Sequence, residues 1–253
     1  DWHVVAAAPR VYSTFETLPD DVRAAITPPV IELVEGMAMF VDDHAETNGL
    51  RIETQAELEE YCHYAAGTVG TLITNLLTRE ELSAERRDTL YETAEAFGLL
   101  LQLVNIAKDV HDDYTQEHNV YLPAAWLSDV GVPQEAVTEA EHRDAVAAVV
   151  SRTADFARSF LDEAERYLHA MPLRHGNTLA AWGVPFLLAV GTLRELSESP
   201  ADALVACDLK VSRQEVYAVV EAMDGADRDA LSEFRSVIER EPLHTAAPQR
   251  QSD

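Results

Sequence analysis

The chain has 253 residues, is 47% hydrophobic, and sets 45 acidic residues against 19 basic ones for a formal net charge of −26. That is enough apolar material for one large core, and acid spread along the whole chain reads as a solvated coat that argues against nucleic acid and anionic lipid surfaces at low salt. Two cysteines, Cys62 and Cys207, exclude a disulfide framework and a thiolate metal cluster and read as buried thiols. The coat is like that of proteins from high-salt cytoplasm, where ions screen its self-repulsion.

Residues 1–20 read as irregular, with Pro9 and Pro19, and no signal peptide or initiating Met precedes Asp1, so further residues are expected upstream. Asp20 to Ile26 suits a short helix, Pro28-Pro29 a stop and restart, and Val30, Ile31, Val34, Met37 and Val41 one face of the next helix. Asn48-Gly49 marks a turn. Thr54 with Glu57 forms a capping box that opens a helix to about Thr78. Gly67 and Gly70 inside it imply either close helix–helix approach or a cavity wall.

Ser83 caps a central helix expected to reach Asp113, followed by a polar break from Tyr114 to Asn119 and a turn at Tyr121-Leu122-Pro123. From Pro133 to about Ala170 the pattern predicts one long outer amphipathic helix. Asn177 begins the most apolar helix, ending near Glu195, with Pro185 kinking or breaking it; it reads as a core helix more readily than a bilayer span. A short segment from Ser199-Pro200 to Asp208, helices over Lys210–Met223 and Asp227–Arg240, and a disordered tail over 242–253 complete the chain. Strand alternation, a glycine-rich phosphate loop, a CxxC pair and internal repeats are all missing. His63 and His111 read as packing or rim residues.

The central helix carries the chemistry. Its run from Phe97 is apolar except for Gln102, Asn105, Asp109 and Asp113, which at spacings of three and four fall near one stripe. Amides and carboxylates on an otherwise greasy helix suggest a polar line facing an internal cavity rather than an ordinary acidic helix end. Asp109 and Asp113, one turn apart, repel each other unless a cation sits between them. Mg²⁺ commonly joins one or two carboxylates to substrate phosphates, so the pair reads as half of a Mg²⁺–diphosphate site.

The segment from Gln102 to Asp113, with Tyr121-Leu122-Pro123, resembles the second aspartate-rich motif of the squalene/phytoene synthase family, and Tyr61-Cys62-His63-Tyr64-Ala65-Ala66-Gly67-Thr68-Val69-Gly70 resembles its other signature. The resemblance implies an all-α isoprenoid synthase bundle around a central cavity and head-to-head condensation of two prenyl diphosphates through a cyclopropyl intermediate. It also implies Asp109 and Asp113 as Mg²⁺ ligands, Gln102 and Asn105 as substrate-binding cavity residues, and Tyr64 as the catalytic tyrosine near the departing diphosphate. Two departures stand out. His118 and Asn119 occupy the place of a family Gly-Arg pair, and no first aspartate-rich motif is found: Asp42-Asp43 comes too late and Asp20-Asp21 reads as a helix start. The chain thus reads as a single domain over 1–241 lacking its N-terminal part, with one of two metal poles and no catalysis expected of it alone.

Within the family, Tyr61 to Tyr64, Gly36 to Phe40 and the Ala181 to Pro185 segment look more like the squalene branch, in which farnesyl diphosphate is the substrate and NADPH the reductant. Lys210 and Arg213, the compact basic pair of the late chain, are the residues such a cofactor would meet. The alternatives are phytoene synthesis from geranylgeranyl diphosphate without reductant, and a silent homologue that binds prenyl lipid. A cytoplasmic monomer touching the membrane surface for product release completes the expectation.

Overall fold

The computed structural model of the chain describes residues 2–79, 81–173, 178–206 and 209–246, and within them only helices, turns and one isolated bridge. Short helices α1 (Trp2–Ala6) and α2 (Ala8–Glu16) precede α3 (Asp20–Asp43), a single helix of 24 residues that runs through Pro28-Pro29. The expected stop does not occur, and the reason lies elsewhere in the chain. Pro29 has no N–H for the carbonyl of Ala25, and the side-chain amide of Asn75 donates to that oxygen instead, at 3.1 Å.

Thr54 caps α4 (Gln55–Cys62) by accepting from the N–H of Glu57 at 3.2 Å, and Glu57 reaches back to the N–H of Glu53 at 2.6 Å. The chain then widens into one π turn, His63–Gly67, before α5 (Thr68–Leu77). Such bulges re-aim side chains at functional positions. A Cβ at Gly70 would run into the carbonyl of Ala94, and one at Gly98 into that of Ala66, so glycine on each helix brings the two backbones into contact. Close approach is the answer for Gly70. Gly67 meets only the side chains of Glu95 and His63 at 3.3 Å.

Ser83 caps α6 (Ala84–Lys108), which runs through the middle of the molecule and buries Leu90, Phe97, Leu100, Leu103 and Ala107. Against it pack α5, then α9 (Arg143–Arg158), α10 (Leu161–Ala170) and α11 (Thr178–Glu198). Between them, α7 (Val110–Glu117) packs on the 3-10 turn Pro200–Leu204 and α8 (Ala124–Asp129) on α9. The long helix expected from Pro133 to Ala170 is instead two 3-10 turns followed by α9 and α10, which part at Ser159-Phe160. Nor is it mainly an outer element: Val146, Val150, Leu161, Tyr167 and Leu168 are in the core.

Pro185 lies inside α11 without ending it. The last helices, α12 (Arg213–Met223) and α13 (Arg228–Ile238), are joined to α11 by a buried pair, in which both guanidinium Nη atoms of Arg194 bond the carboxylate of Glu215 at 2.8 and 2.9 Å. Arg194 Nη1 also reaches the carbonyl of Ile238 at 2.8 Å. Cys62 is buried, and burial pushes its thiol up to about 12; Cys207 and residues 247–253 of the expected tail lie outside the described residues. Pro242 accepts from the N–H of Thr245 at 2.9 Å.

Two helices, α3 and the span Leu179–Glu198 of α11, are long and apolar enough to cross a membrane, a test that core helices also pass. Most of the α11 window is buried in the bundle, whereas α3 leaves Ile31, Val34 and Val41 exposed.

Candidate active site

Asp109 sits at a kink. Its backbone (φ −102°, ψ 15°) leaves the α-helical region, so the single helix expected to reach Asp113 divides into α6 and α7 there. The hydrogen-bond ladder nevertheless continues through the kink, from Asp109 N–H to Asn105 at 3.0 Å and from Asp113 N–H to Asp109 at 2.8 Å. The two aspartates therefore remain one turn apart. Asp109 is 39% exposed and paired with the ammonium of Lys108. Asp113 is half-buried.

Burial, and after it the charges of Asp109 and Glu117, push the Asp113 carboxyl up to about 7; Lys108 works in the opposite direction and Asp112 adds to the rise. This is a concentration of negative charge that its own lysine does not balance. The donors are hard oxygens, the count of two suits a Mg²⁺ that keeps waters and shares a diphosphate, and a cation here would relieve the repulsion. Asp109 and Asp113 thus fit the metal that the resemblance implies. A second acidic set is available elsewhere: Glu139, Glu141 and His142 bring ligand atoms within 4.8 Å of one another and could hold a metal ion, though both glutamates are exposed.

A strap closes over Asp113. Arg51 and Val120 form a parallel bridge, in which Val120 N–H donates to Leu50 at 2.9 Å and Ile52 N–H to Val120 at 3.2 Å. Asn119 pins it: its carboxamide oxygen accepts from Leu50 N–H at 2.8 Å, and its amide donates to the Tyr121 hydroxyl and to Glu117, each at 3.0 Å. His118, in the left-handed region at φ 60°, makes the corner, and the guanidinium of Arg51 caps its carbonyl. Tyr121 also receives the hydroxyl of Tyr61 at 3.2 Å. Burial keeps both phenols protonated beyond their ordinary range, the more so beside the Asp113 charge.

Tyr64 stands in the π turn with its ring against Gly36 of α3, where any Cβ would collide with it. It lines a groove of about 610 Å³ together with Pro28, Ile31, Glu32, Glu35 and Met39. Between Tyr64 and the aspartates runs a line of rings: Tyr64 to Phe40 at 6.3 Å, Phe40 to Tyr61 at 5.5 Å, and Tyr61 to Tyr121 at 4.8 Å. His63 ties the neighbouring helices together, with Nδ1 2.7 Å from Glu95 and Nε2 3.2 Å from Glu32.

The internal cavity expected beside the polar stripe is not closed within the described residues. Gln102 is half-buried and Asn105 exposed, so the stripe looks to an open side of the bundle. The hollow next to Asp113, bounded by Ile106, Val110, Tyr121 and Val137, leaves room of only about 10 Å³. Lys210 and Arg213 are exposed, in the segment before α12 and at its first residue, on none of the elements that carry Asp109, Asp113 or Tyr64. Two exposed basic side chains by themselves do not define a dinucleotide site.

Sequence reasoning named both aspartates and Tyr64 but missed the roles of Tyr61, Asn119 and Tyr121. Tyr121 was visible as part of a turn; its bond to Tyr61 spans 60 residues and leaves no local pattern.

The all-α bundle, with an aspartate pair where its central helix passes into α7, has the fold of the isoprenoid synthases. The solved complex of TcSQS with the ligand BPH1237 matches it with a TM-score of 0.77 at 20% identity, over 88% of this chain and 62% of that one. The family model for squalene/phytoene synthase matches residues 1–215, and the chain belongs to that family. Among curated relatives, a phytoene synthase of Pseudescherichia vulneris is 32% identical over 160 residues, 63% of this chain and 46% of the relative. A 15-cis-phytoene synthase of Enterobacter agglomerans is 31% identical over 149 residues, 58% of this chain and 45% of the relative. The chain thus spans under half the length of these relatives.

Proposed function

We propose that the chain carries the second metal pole and part of the prenyl-binding wall of an enzyme that joins two prenyl diphosphates head to head. The observation that carries this reading is the Asp109/Asp113 pair, in the family's motif, with Asp113 drawn under the strap and held against like charges. Mg²⁺, when bound, supplies the positive charge that a leaving diphosphate needs. Asp109 and Asp113 would hold it, Asn119 fixes the strap beside them, and the apolar side chains of Pro28 and Ile31 give an allylic cation a wall that cannot attack it. The Tyr64 phenol, on the same groove, donates a hydrogen bond or moves a proton without acting as a strong nucleophile.

Of the two products, phytoene from geranylgeranyl diphosphate is the better supported, because the similar curated relatives are phytoene synthases. In that reaction two substrates yield one hydrocarbon and two diphosphates, the carbon skeleton giving up two protons, with no reductant. Squalene from farnesyl diphosphate with NADPH is the second reading. It rests on Phe40, which stands where the phytoene branch more often has Asp and which packs between Tyr61 and Tyr64.

The test has two parts. Titration of this chain with geranylgeranyl diphosphate is expected to show a Mg²⁺-dependent component that is lost in Asp109→Ala and Asp113→Ala at unchanged circular dichroism; absence of any Mg²⁺-dependent component would sink the site. The complete polypeptide, offered each prenyl diphosphate with and without NADPH, is expected to release phytoene without reductant. Squalene formed only with NADPH would reverse the order of the two readings. Tyr64→Phe should lower kcat more than it changes KM.

A further inference from the structure

At the other end of α6 from the aspartates lies a groove of about 800 Å³, between the first turns of α6 and the last turns of α10, lined among others by Ser83, Arg86, Thr89, Arg166 and His169. At about 1.5 Å per helical residue, Arg86 is roughly 35 Å along the helix from Asp109, so the groove is separate from the diphosphate pole.

Its acidic members are mostly engaged elsewhere. Arg235 of α13 pairs with both Asp162, at 2.7 Å, and Glu165, and the hydroxyl of Ser232 also bonds Glu165. Glu85 is exposed at the rim.

The basic members are not so matched. Arg166 has one distant partner, Glu92 at 3.8 Å, and both side chains are more than half exposed. Arg228 spends its guanidinium on the carbonyls of His169 and Met171 at the end of α10, at 2.6 and 2.5 Å. Arg86 is half-buried, and among the described residues neither it nor Arg228 has a carboxylate at ion-pair distance. Burial, and then the charge of Arg86, hold Arg228 below its ordinary pKa.

We propose that this groove is a second anion site, which binds a phosphoryl-bearing small molecule through Arg86 and Arg166. Guanidinium forks match phosphoryl oxygens in geometry and charge. The volume is that of a small-molecule pocket, about 300–1,000 Å³, and exceeds what a lone phosphate needs. The site goes beyond the condensation reaction and uses none of its residues.

The probe is inorganic diphosphate, titrated calorimetrically into the intact chain in EDTA at fixed ionic strength, so that the metal-free aspartates repel it. Binding is expected in the wild type and in Asp113→Asn. It should weaken about tenfold or more in Arg86→Ala/Arg166→Ala, the scale of lost charge-assisted hydrogen bonds, and return in part with lysine at both positions. Unchanged affinity in the double-alanine variant, or no binding at millimolar diphosphate, would overturn the proposal. Capture by anionic phospholipid vesicles that diphosphate fails to compete away would overturn it too, by assigning the arginines to a membrane surface. Binding that appears only when Mg²⁺ replaces the EDTA, and is then lost in Asp113→Asn, would overturn it by assigning the anion to the aspartate pole.

Discussion

At the scale of single residues, Asp113 is where function opposes stability. Its carboxyl is pushed from the ordinary 3.8 of an aspartate up to about 7, first by burial and then by Asp109 and Glu117. A carboxyl whose folded pKa is raised binds its proton more tightly in the native state than in the unfolded one. Its contribution is therefore fully present below about pH 4 and is lost as pH rises toward 7. At about 1.4 kcal/mol per unit the ceiling is roughly 4 kcal/mol, and partial exposure reduces it. Asp113→Asn removes the ionisation and should therefore stabilise the metal-free protein by about 1–2 kcal/mol near pH 8 and by nothing near pH 4, as measured by urea unfolding at both pH values. Equal effects at the two would mean that Asp113 is not held against its charge. Adding Mg²⁺ to diphosphate should raise the Tm of the wild type above its value in diphosphate alone and add nothing in the variant, because only a ligand that prefers the native state stabilises it.

At the scale of elements, the two glycine contacts and the tolerated prolines make separate predictions. Gly98→Ala and Gly70→Ala each drive a Cβ into a carbonyl of the facing helix, and rigid backbone cannot yield as a side chain does. Each should cost about 1–3 kcal/mol or more. Gly67→Ala meets side-chain atoms of Glu95, His63 and Leu99 and no backbone, and should cost less than either, offset in part by its gain in helix propensity. Asn75→Ala removes the donor that replaces the missing N–H of Pro29, and should cost about 1 kcal/mol. In a Pro29→Ala background the backbone can satisfy Ala25 itself, so the same change should cost less; additive effects in this double-mutant cycle would refute the compensation. Asn75 also accepts the Tyr91 hydroxyl, a loss common to both backgrounds that cancels.

The same elements show what the sequence could disclose. The caps at Thr54 and Ser83 and the turn at Gly49 were legible because each is encoded within a few residues. The aspartate pair was legible because one turn of helix keeps it together. Continuity through Pro28-Pro29 was not, since the group that permits it lies on another helix. The break at Asp109, the split between α9 and α10 and the Tyr61–Tyr121 bond likewise depend on tertiary partners. The open side of the stripe depends on which faces are covered, which periodicity does not report.

At the scale of the whole molecule, a net charge of −26 on 253 residues sets the conditions under which any of these measurements can be made. The acid is distributed over the surface of the bundle, and several of its arginines are committed to carboxylates: Arg194 to Glu215, Arg235 to Asp162 and Glu165. The remaining acid repels itself and favours expansion. At 0.1 M salt the screening length is about 10 Å, comparable to the spacing of charges on a small protein, and at 1 M it is about 3 Å, shorter than that spacing. Tm should therefore climb steeply between those concentrations and flatten above them, and NaCl and KCl should act alike. Salting-out of apolar surface has a different signature: it continues to rise with concentration and follows the strength of the anion, with sulfate above chloride. Thermal unfolding across both salts and sulfate, compared at equal ionic strength, separates the two. A plateau shared by all three assigns the gain to screening, whereas a sulfate curve that keeps climbing while chloride lags would show that burial of apolar surface, such as the uncovered face of α3, governs the response.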